Sequence, residues 1–218
     1  MLTKKDRRKE YRMKDYEALS KKHFDGQAAE YDRRDTYYYS RNGKISCSDI
    51  AARLRDIPYE SLLDVGCGTG FLFEILARQR AARYCGVDLS EGMIRVAEKK
   101  QIEGAEFAVG SADRLPYPDE SFDIVTCSQS FHHYPYPGQA MREARRVLRP
   151  GGLYILSDTG IGGIGAWIDN HIFFKLMKSG DCRTTDRKGI GKLMEAAGFT
   201  VTDSRQIGRM IYTVTGKK

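Results

Sequence analysis

Leu62-Leu63-Asp64-Val65-Gly66-Cys67-Gly68-Thr69-Gly70-Phe71 is the stretch whose reading decides the fold. A short apolar run of strand type enters a glycine-rich turn, and from Phe71 onward apolar residues recur at helical spacing. Glycine lets the backbone adopt dihedrals that other residues resist and approach a ligand closely. The first turn of the helix that follows leaves N–H groups free for an anion. The segment therefore has the form of a cofactor loop, with a tight turn needed only for packing as the plainer alternative. A dinucleotide loop requires its third glycine one place later, in G-x-G-x-x-G spacing, where this chain has Phe71. The chain also contains no Tyr-x-x-x-Lys pair of the kind short-chain dehydrogenases use.

Working outward, strand-like apolar runs alternate with helical patterns, the signature of a parallel sheet wound by crossover helices. Strands are expected at residues 61–65, 84–87, 106–109, 122–127 and 152–157, with helices at 71–80, 92–101 and 138–148 between them. A helix over 187–197 stops at Gly198, and two strands near 200–206 and 210–215 follow so closely that they should form an antiparallel hairpin. That hairpin would complete a sheet of seven strands. The predicted division is a basic tail or helix over 1–22, a helical lid segment rich in tyrosine (Tyr31, Tyr37, Tyr38, Tyr39) over 23–58, and the main domain over 59–218.

The bulk properties suit one enzyme or binding domain. The 218 residues are 41% hydrophobic and 30% charged, with a mean hydropathy of -0.52, values of an ordinary globular chain. No apolar run approaches the length of a membrane span, and the charged N-terminus is followed by no apolar core, so a cytoplasmic location is expected. Five cysteines without zinc-ligand spacing predict reduced thiols and no metal site. Of the net charge of +7, residues 1–22 carry +5 (nine Lys/Arg against four Asp/Glu), leaving the remainder nearly neutral. A solvated helix explains that segment, with RNA or membrane contact as the alternative.

Two further acids extend the loop into a site. Asp88 in Gly86-Val87-Asp88-Leu89-Ser90 ends the second strand, where open α/β sheets bind ligands and where a carboxylate can accept from both hydroxyls of a ribose. Its bland alternative is a helix cap, a role for which Ser90 is better placed. Asp113 follows the third strand, in position for an exocyclic amine.

The segments Leu62–Gly70, Gly86–Ile94, Gly110–His133 and Ala140–Gly152, in this order, resemble the class I S-adenosylmethionine-dependent methyltransferases, in particular the type 11, ubiquinone/menaquinone methyltransferase-like branch. The resemblance implies an α/β, Rossmann-like seven-stranded methyltransferase sheet, mostly parallel with a C-terminal antiparallel hairpin and helices on both faces. It implies S-adenosylmethionine as cofactor and S-adenosylhomocysteine as product. Asp64 would orient the loop, and Gly66, Cys67, Gly68 and Gly70 would meet the methionine part. Asp88 would hold the ribose. Leu89 and Met93 would flank adenine, Met93 having core packing as an equal alternative, with Ala112 and Asp113 at the polar edge. Main-chain contacts to the methionine amino group fall at Ser128 and Gln129. Phe24-Asp25-Gly26-Gln27-Ala28-Ala29-Glu30-Tyr31-Asp32 resembles the family's FDxxAxxYD segment, which makes Tyr31 the residue that closes over the sulfonium; Arg41 is a candidate for the methionine carboxylate.

His132 and His133, after the fourth strand, are the candidate general bases, needed only where the acceptor must lose a proton. Pocket lining and packing are the competing roles, and Tyr134, Asp158 and His171 are secondary candidates. Ser128-Gln129-Ser130-Phe131 stands where enzymes methylating nucleobase amines carry Asn/Asp-Pro-Pro-Tyr/Phe, and no Pro-Cys pair is present. A small-molecule methyl acceptor, quinone-like or aromatic, is the expected partner, and residues 160–181, with Trp167, Ile168, Phe173, Phe174 and Met177, lie beside its pocket or form an amphipathic packing helix. Nucleic acid through the basic tail, a non-catalytic cofactor-binding module and a nicotinamide-dependent oxidoreductase stand behind it as alternatives.

Overall fold

The computed structural model describes residues 4–33, 38–173 and 180–218. Tyr37, Phe174 and Met177, singled out above, lie outside the described residues. Helix α1 (Lys4–Gln27) runs into a 3-10 turn (Ala28–Arg33), and α2 (Tyr38–Leu54) precedes the sheet. The division expected at residue 22 thus falls inside one continuous helix. Then come β1 (Ser61–Val65), α3 (Phe71–Leu76), β2 (Arg83–Asp88), α4 (Glu91–Lys99), β3 (Ala105–Val109), β4 (Phe122–Ser128), α5 (Pro137–Val147) and β5 (Leu148–Thr159). Helix α6 (Gly163–Ile168) leads into a π-helical turn (Asp169–Phe173); α7 (Arg187–Ala196), β6 (Thr200–Gln206) and β7 (Ile211–Lys217) follow the segment from Gly180.

The seven strands lie in the order β3-β2-β1-β4-β5-β7-β6. Five are parallel, while β7 runs antiparallel to both β5 and β6, as the predicted hairpin requires. Alternation along the central strands feeds two cores. Leu62, Ile124 and Ile155 pack under α2 and α3 with Ile50, Leu54, Phe73 and Leu76. Leu63, Val125, Leu156 and Val214 pack on the opposite face with Met141, Val147, Ile190 and Met194 of α5 and α7. Burial on both faces is why these strands read as near-continuous apolar runs.

Two elements depart from the expectation. Helix α3 stops at Leu76 and residues 77–79 form a turn. Strand β5 begins at Leu148, four residues before the predicted Gly152, because Arg149-Pro150-Gly151-Gly152 makes a bulge between the pairs Phe122/Leu148 and Ile124/Leu153. Among the described residues, no helix is long and apolar enough to cross a membrane.

Candidate active site

From β3 the chain crosses to the far side of β1 to form β4, so the segments leaving β1 and β4 diverge at their C-terminal ends. This is the switch point at which open α/β sheets bind ligands. A cavity of about 330 Å³ opens there, within the range of small-molecule sites.

Its floor is backbone. The Gly66 and Cys67 amides both donate to the Val87 carbonyl, at 2.7 and 3.1 Å, stitching the turn after β1 to the end of β2. Gly66 has φ +75°, and a Cβ there would overlap the Ser130 hydroxyl, so only glycine satisfies both backbone and space. Gly70 also has positive φ, and a Cβ would come within 2.9 Å of Phe107. Gly70 is buried, absent from the cavity wall, and shapes the start of α3.

The acids are held differently. One Asp88 oxygen accepts from the Gly68 amide at 2.9 Å and the other from the Ser90 amide at 2.8 Å. Burial raises the Asp88 pKa against these two bonds. Ser90, as anticipated, is the residue that caps α4, accepting from the Met93 amide at 3.1 Å. Asp64 is 2% exposed and accepts from the Thr126 hydroxyl at 2.7 Å. Burial pushes its carboxyl up to about 7, opposed by Thr126 and assisted by the charge of Asp88. Asp113, Ala112 and Leu89 are half-buried on the same wall, and Met93 is buried in both wall and core.

The N-terminal segment is fastened over this floor. Asp25 accepts from the Ser90 hydroxyl at 2.7 Å and the Gly92 amide at 2.8 Å, at the start of α4. Asp32 accepts from the Thr69 hydroxyl at 2.6 Å and pairs with Lys100. Tyr31 lines the cavity edge-on to Phe24, with ring centroids 6.3 Å apart. Glu17, Ser20 and Lys21 of α1 line it too. The pattern reading missed them because it assigned their segment to solvent. Their spacing with Phe24, at i, i+3, i+4 and i+7, marks one helix face, but a polar face carries no signal in a search for apolar periodicity. Arg41 is exposed and lies off the wall, where Lys44 appears instead.

Beyond β4, Ser128 and Gln129 both line the cavity. Gln129 has φ +51°, a conformation costly for a residue with a side chain. Its amide is gripped at both ends, donating to Ser46 Oγ at 2.9 Å and accepting from Thr159 Oγ1 at 2.6 Å. This over-determined turn stands where the main-chain ligand contact was expected.

The two histidines separate. His133 lines the cavity, edge-on to Phe24 with centroids 5.0 Å apart. Among the described residues its buried Nδ1 has no hydrogen-bond partner. Burial and the neighbouring His132 hold its pKa below the usual range. His132 is absent from the cavity wall, so that one histidine lines the cavity while the other packs. Its Nδ1 lies 2.7 Å from Asp158 Oδ1 and its backbone N–H donates to Asp158 Oδ2 at 3.0 Å. Burial would lower its pKa, but Asp158 and Asp181 raise it. Asp181, also unforeseen, approaches His132 Nε2 at 3.5 Å and His133 Nε2 at 3.7 Å. Tyr134 donates to the Val65 carbonyl at 2.9 Å, which occupies the proton a catalytic tyrosine would offer.

Residues 63–156 match the family described as the methyltransferase domain. Over 105 residues, 47% of this chain and 38% of the relative, the sequence is 42% identical to a fatty-acid O-methyltransferase of Mycolicibacterium smegmatis. Over 126 residues, 56% of this chain and 45% of the relative, it is 40% identical to the methyltransferase GfsG of Streptomyces halstedii. The chain spans less than half the length of these curated relatives. Among solved structures it resembles a chain of the complex between the Haloferax volcanii Trm112 methyltransferase activator and a methyltransferase, with TM-score 0.76 and 18% identity over 91% of this chain and 96% of that one. It also resembles the Burkholderia thailandensis 1,6-didemethyltoxoflavin-N1-methyltransferase, with TM-score 0.72 and 20% identity over 94% of this chain and 90% of that one. At these identities the structural likeness is one of fold.

Proposed function

We propose, for a chain whose residues 63–156 form a type 11 methyltransferase domain of class I fold, that it moves a methyl group from S-adenosylmethionine to a small-molecule acceptor and releases S-adenosylhomocysteine. The observation that carries this reading is the Asp88 carboxylate. It stands at the switch-point cavity, with its oxygens oriented by the Gly68 and Ser90 amides as a ribose diol requires.

The other groups fit the same ligand. Leu89 and Met93 offer apolar contact to adenine, and Ala112 with Asp113 meets its polar edge. Asp64, Gly66, Cys67, Gly68, Ser128 and Gln129 surround the space for the methionine part. Bound there, S-adenosylmethionine supplies a methyl group on a sulfonium with a good leaving group. The protein's share is then alignment and exclusion of water. Tyr31 and Phe24 put aromatic surface beside the cation, and the bonds of Asp25 and Asp32 hold that cover down. In this reading residues 1–58 act as one lid over residues 59–218, and the inner face of α1 belongs to the small-molecule site.

Tyr134, Pro135, Tyr136 and Ala140 line the cavity beyond Ser130. That wall suits an acceptor with an apolar body, and the named substrates of relatives, a fatty acid among them, are of that kind. Where the acceptor loses a proton, His133 is the group placed to take it, with the Asp158–His132 pair behind it. Titration calorimetry with S-adenosylhomocysteine and NAD tests the first step: micromolar binding of the former alone is expected, and preference for NAD overturns the reading. Transfer of labelled methyl to hydroxylated lipids, quinols or aromatic amines then identifies the acceptor. Substitution His133→Ala should lower turnover more than cofactor affinity.

A further inference from the structure

We propose that His132, His133 and Asp181 form a binding site for a divalent transition-metal ion, zinc foremost, at the margin of the cavity. Their ligand atoms lie within 4.8 Å of one another. The carboxylate oxygen is 3.5 Å from His132 Nε2 and 3.7 Å from His133 Nε2. Tetrahedral zinc with bonds of about 2.0–2.1 Å brings its ligand atoms to about 3.4 Å apart. The two histidine–carboxylate separations therefore need to close by only a few tenths of an ångström, while the imidazole nitrogens lie within 4.8 Å of each other. Two imidazoles and one carboxylate suit zinc and its first-row neighbours better than magnesium or calcium, which prefer oxygen alone.

The surroundings are those of a metal site. Asp158, 1% exposed, engages His132 through Nδ1 at 2.7 Å. This contact fixes the ring and leaves Nε2 as the ligand nitrogen, the carboxylate–histidine–metal arrangement. Asp181 is 4% exposed, so the cluster holds two buried carboxylates beside two imidazoles. Three protein ligands leave a fourth position open, and one of them, His133, lines the cavity; with Nε2 on the ion, His133 gives up the general-base role proposed for it in the metal-free chain.

The ion would also act on the fold. Residues 180–184 return to the turn after β4, where the Cys182 and Arg183 amides donate to the His132 carbonyl at 3.1 and 3.3 Å. Metal joining Asp181 to both histidines clamps this returning segment onto the same turn.

The test uses the full chain stripped with chelator, without cofactor or acceptor, so its outcome is separate from that of the methyl-transfer reading. Zn²⁺ alone, titrated in competition with a chromophoric chelator, should bind at one equivalent. Co²⁺ alone should develop the visible d–d absorption of a low-symmetry site. Asp181→Asn should weaken Zn²⁺ binding at least tenfold, and Asp158→Asn should weaken it about 10–100-fold. Circular dichroism verifies that each variant folds, and His133→Gln replaces Asp181→Asn should the latter fail to. Absence of stoichiometric Zn²⁺ binding, or affinity unchanged by the ligand substitutions, overturns the site and leaves a histidine–aspartate network sharing protons.

Discussion

The two sides of the cavity are built from different materials. On the β1–β3 side the ligand-facing groups are backbone amides or are held by them: Gly66 and Cys67 on Val87, and Asp88 between Gly68 and Ser90. On the β4–β5 side, side chains are held by side chains: Gln129 between Ser46 and Thr159, and His132 between Asp158 and Asp181. Beyond them Ile164 and Trp167 of α6 are 81% and 57% exposed. A backbone-built half admits few sequences, because its donors exist only in one conformation. A side-chain-built half can be refitted residue by residue, as a fold serving many acceptors requires.

The contrast can be broken most sharply at Gly66. Gly66→Ala places a Cβ against Ser130 and strains a φ of +75°. We expect S-adenosylhomocysteine affinity to fall by two orders of magnitude or more in calorimetry; a loss below tenfold would mean that this turn yields as readily as the opposite wall. Next comes Asp88→Ala, which deletes the proposed acceptor for a ribose diol while sparing the loop's bonds to Val87. A loss of about thirtyfold is expected, matching two hydrogen bonds of about 1 kcal/mol net each, with the melting temperature of the free chain little changed.

Asp64→Asn should separate binding from stability. The folded carboxyl titrates at about 7, against about 3.9 unfolded. Between those values the native state holds the extra proton, so Asp64's contribution to stability is present below the unfolded pKa and is lost as pH rises through about 7. The asparagine, which keeps an acceptor for Thr126, should raise the melting temperature of the free chain above pH 7 and flatten its fall with pH, while cofactor affinity drops about tenfold. An unchanged pH slope would show that Asp64 is not the titrating group. The smallest effect is expected at Trp167→Ala: stability within about 0.5 kcal/mol, cofactor affinity unchanged, and any change confined to the KM of the acceptor.

The same contrast explains what could be read from the chain. Strand β1 and the glycine turn were legible to the residue, since burial on both faces and positive φ restrict composition locally, and β6, exposed at the sheet edge, was legible from the Gly198 stop before it. Asp88 was legible because it ends a strand. His132 and His133 were visible as a pair, but which of them faces the cavity depends on the 3-10 turn Phe131–His133 and on Asp158, 26 residues away. Glu17 and Lys21 were read as solvated because charge reports preference for water, not what a helix lies against once docked.

By itself the sequence determined the order of strands and helices, the glycine turn and the acids at the strand ends. Each depends on interactions within a few residues: periodic burial, backbone dihedrals and chain direction. Only the tertiary structure decided that α1 walls the cavity, that Gly70 is buried against Phe107 at the start of α3, and that Asp181 joins the two histidines. Those are contacts between segments far apart in the chain, and no local pattern encodes them because each partner alone is an ordinary polar residue or glycine.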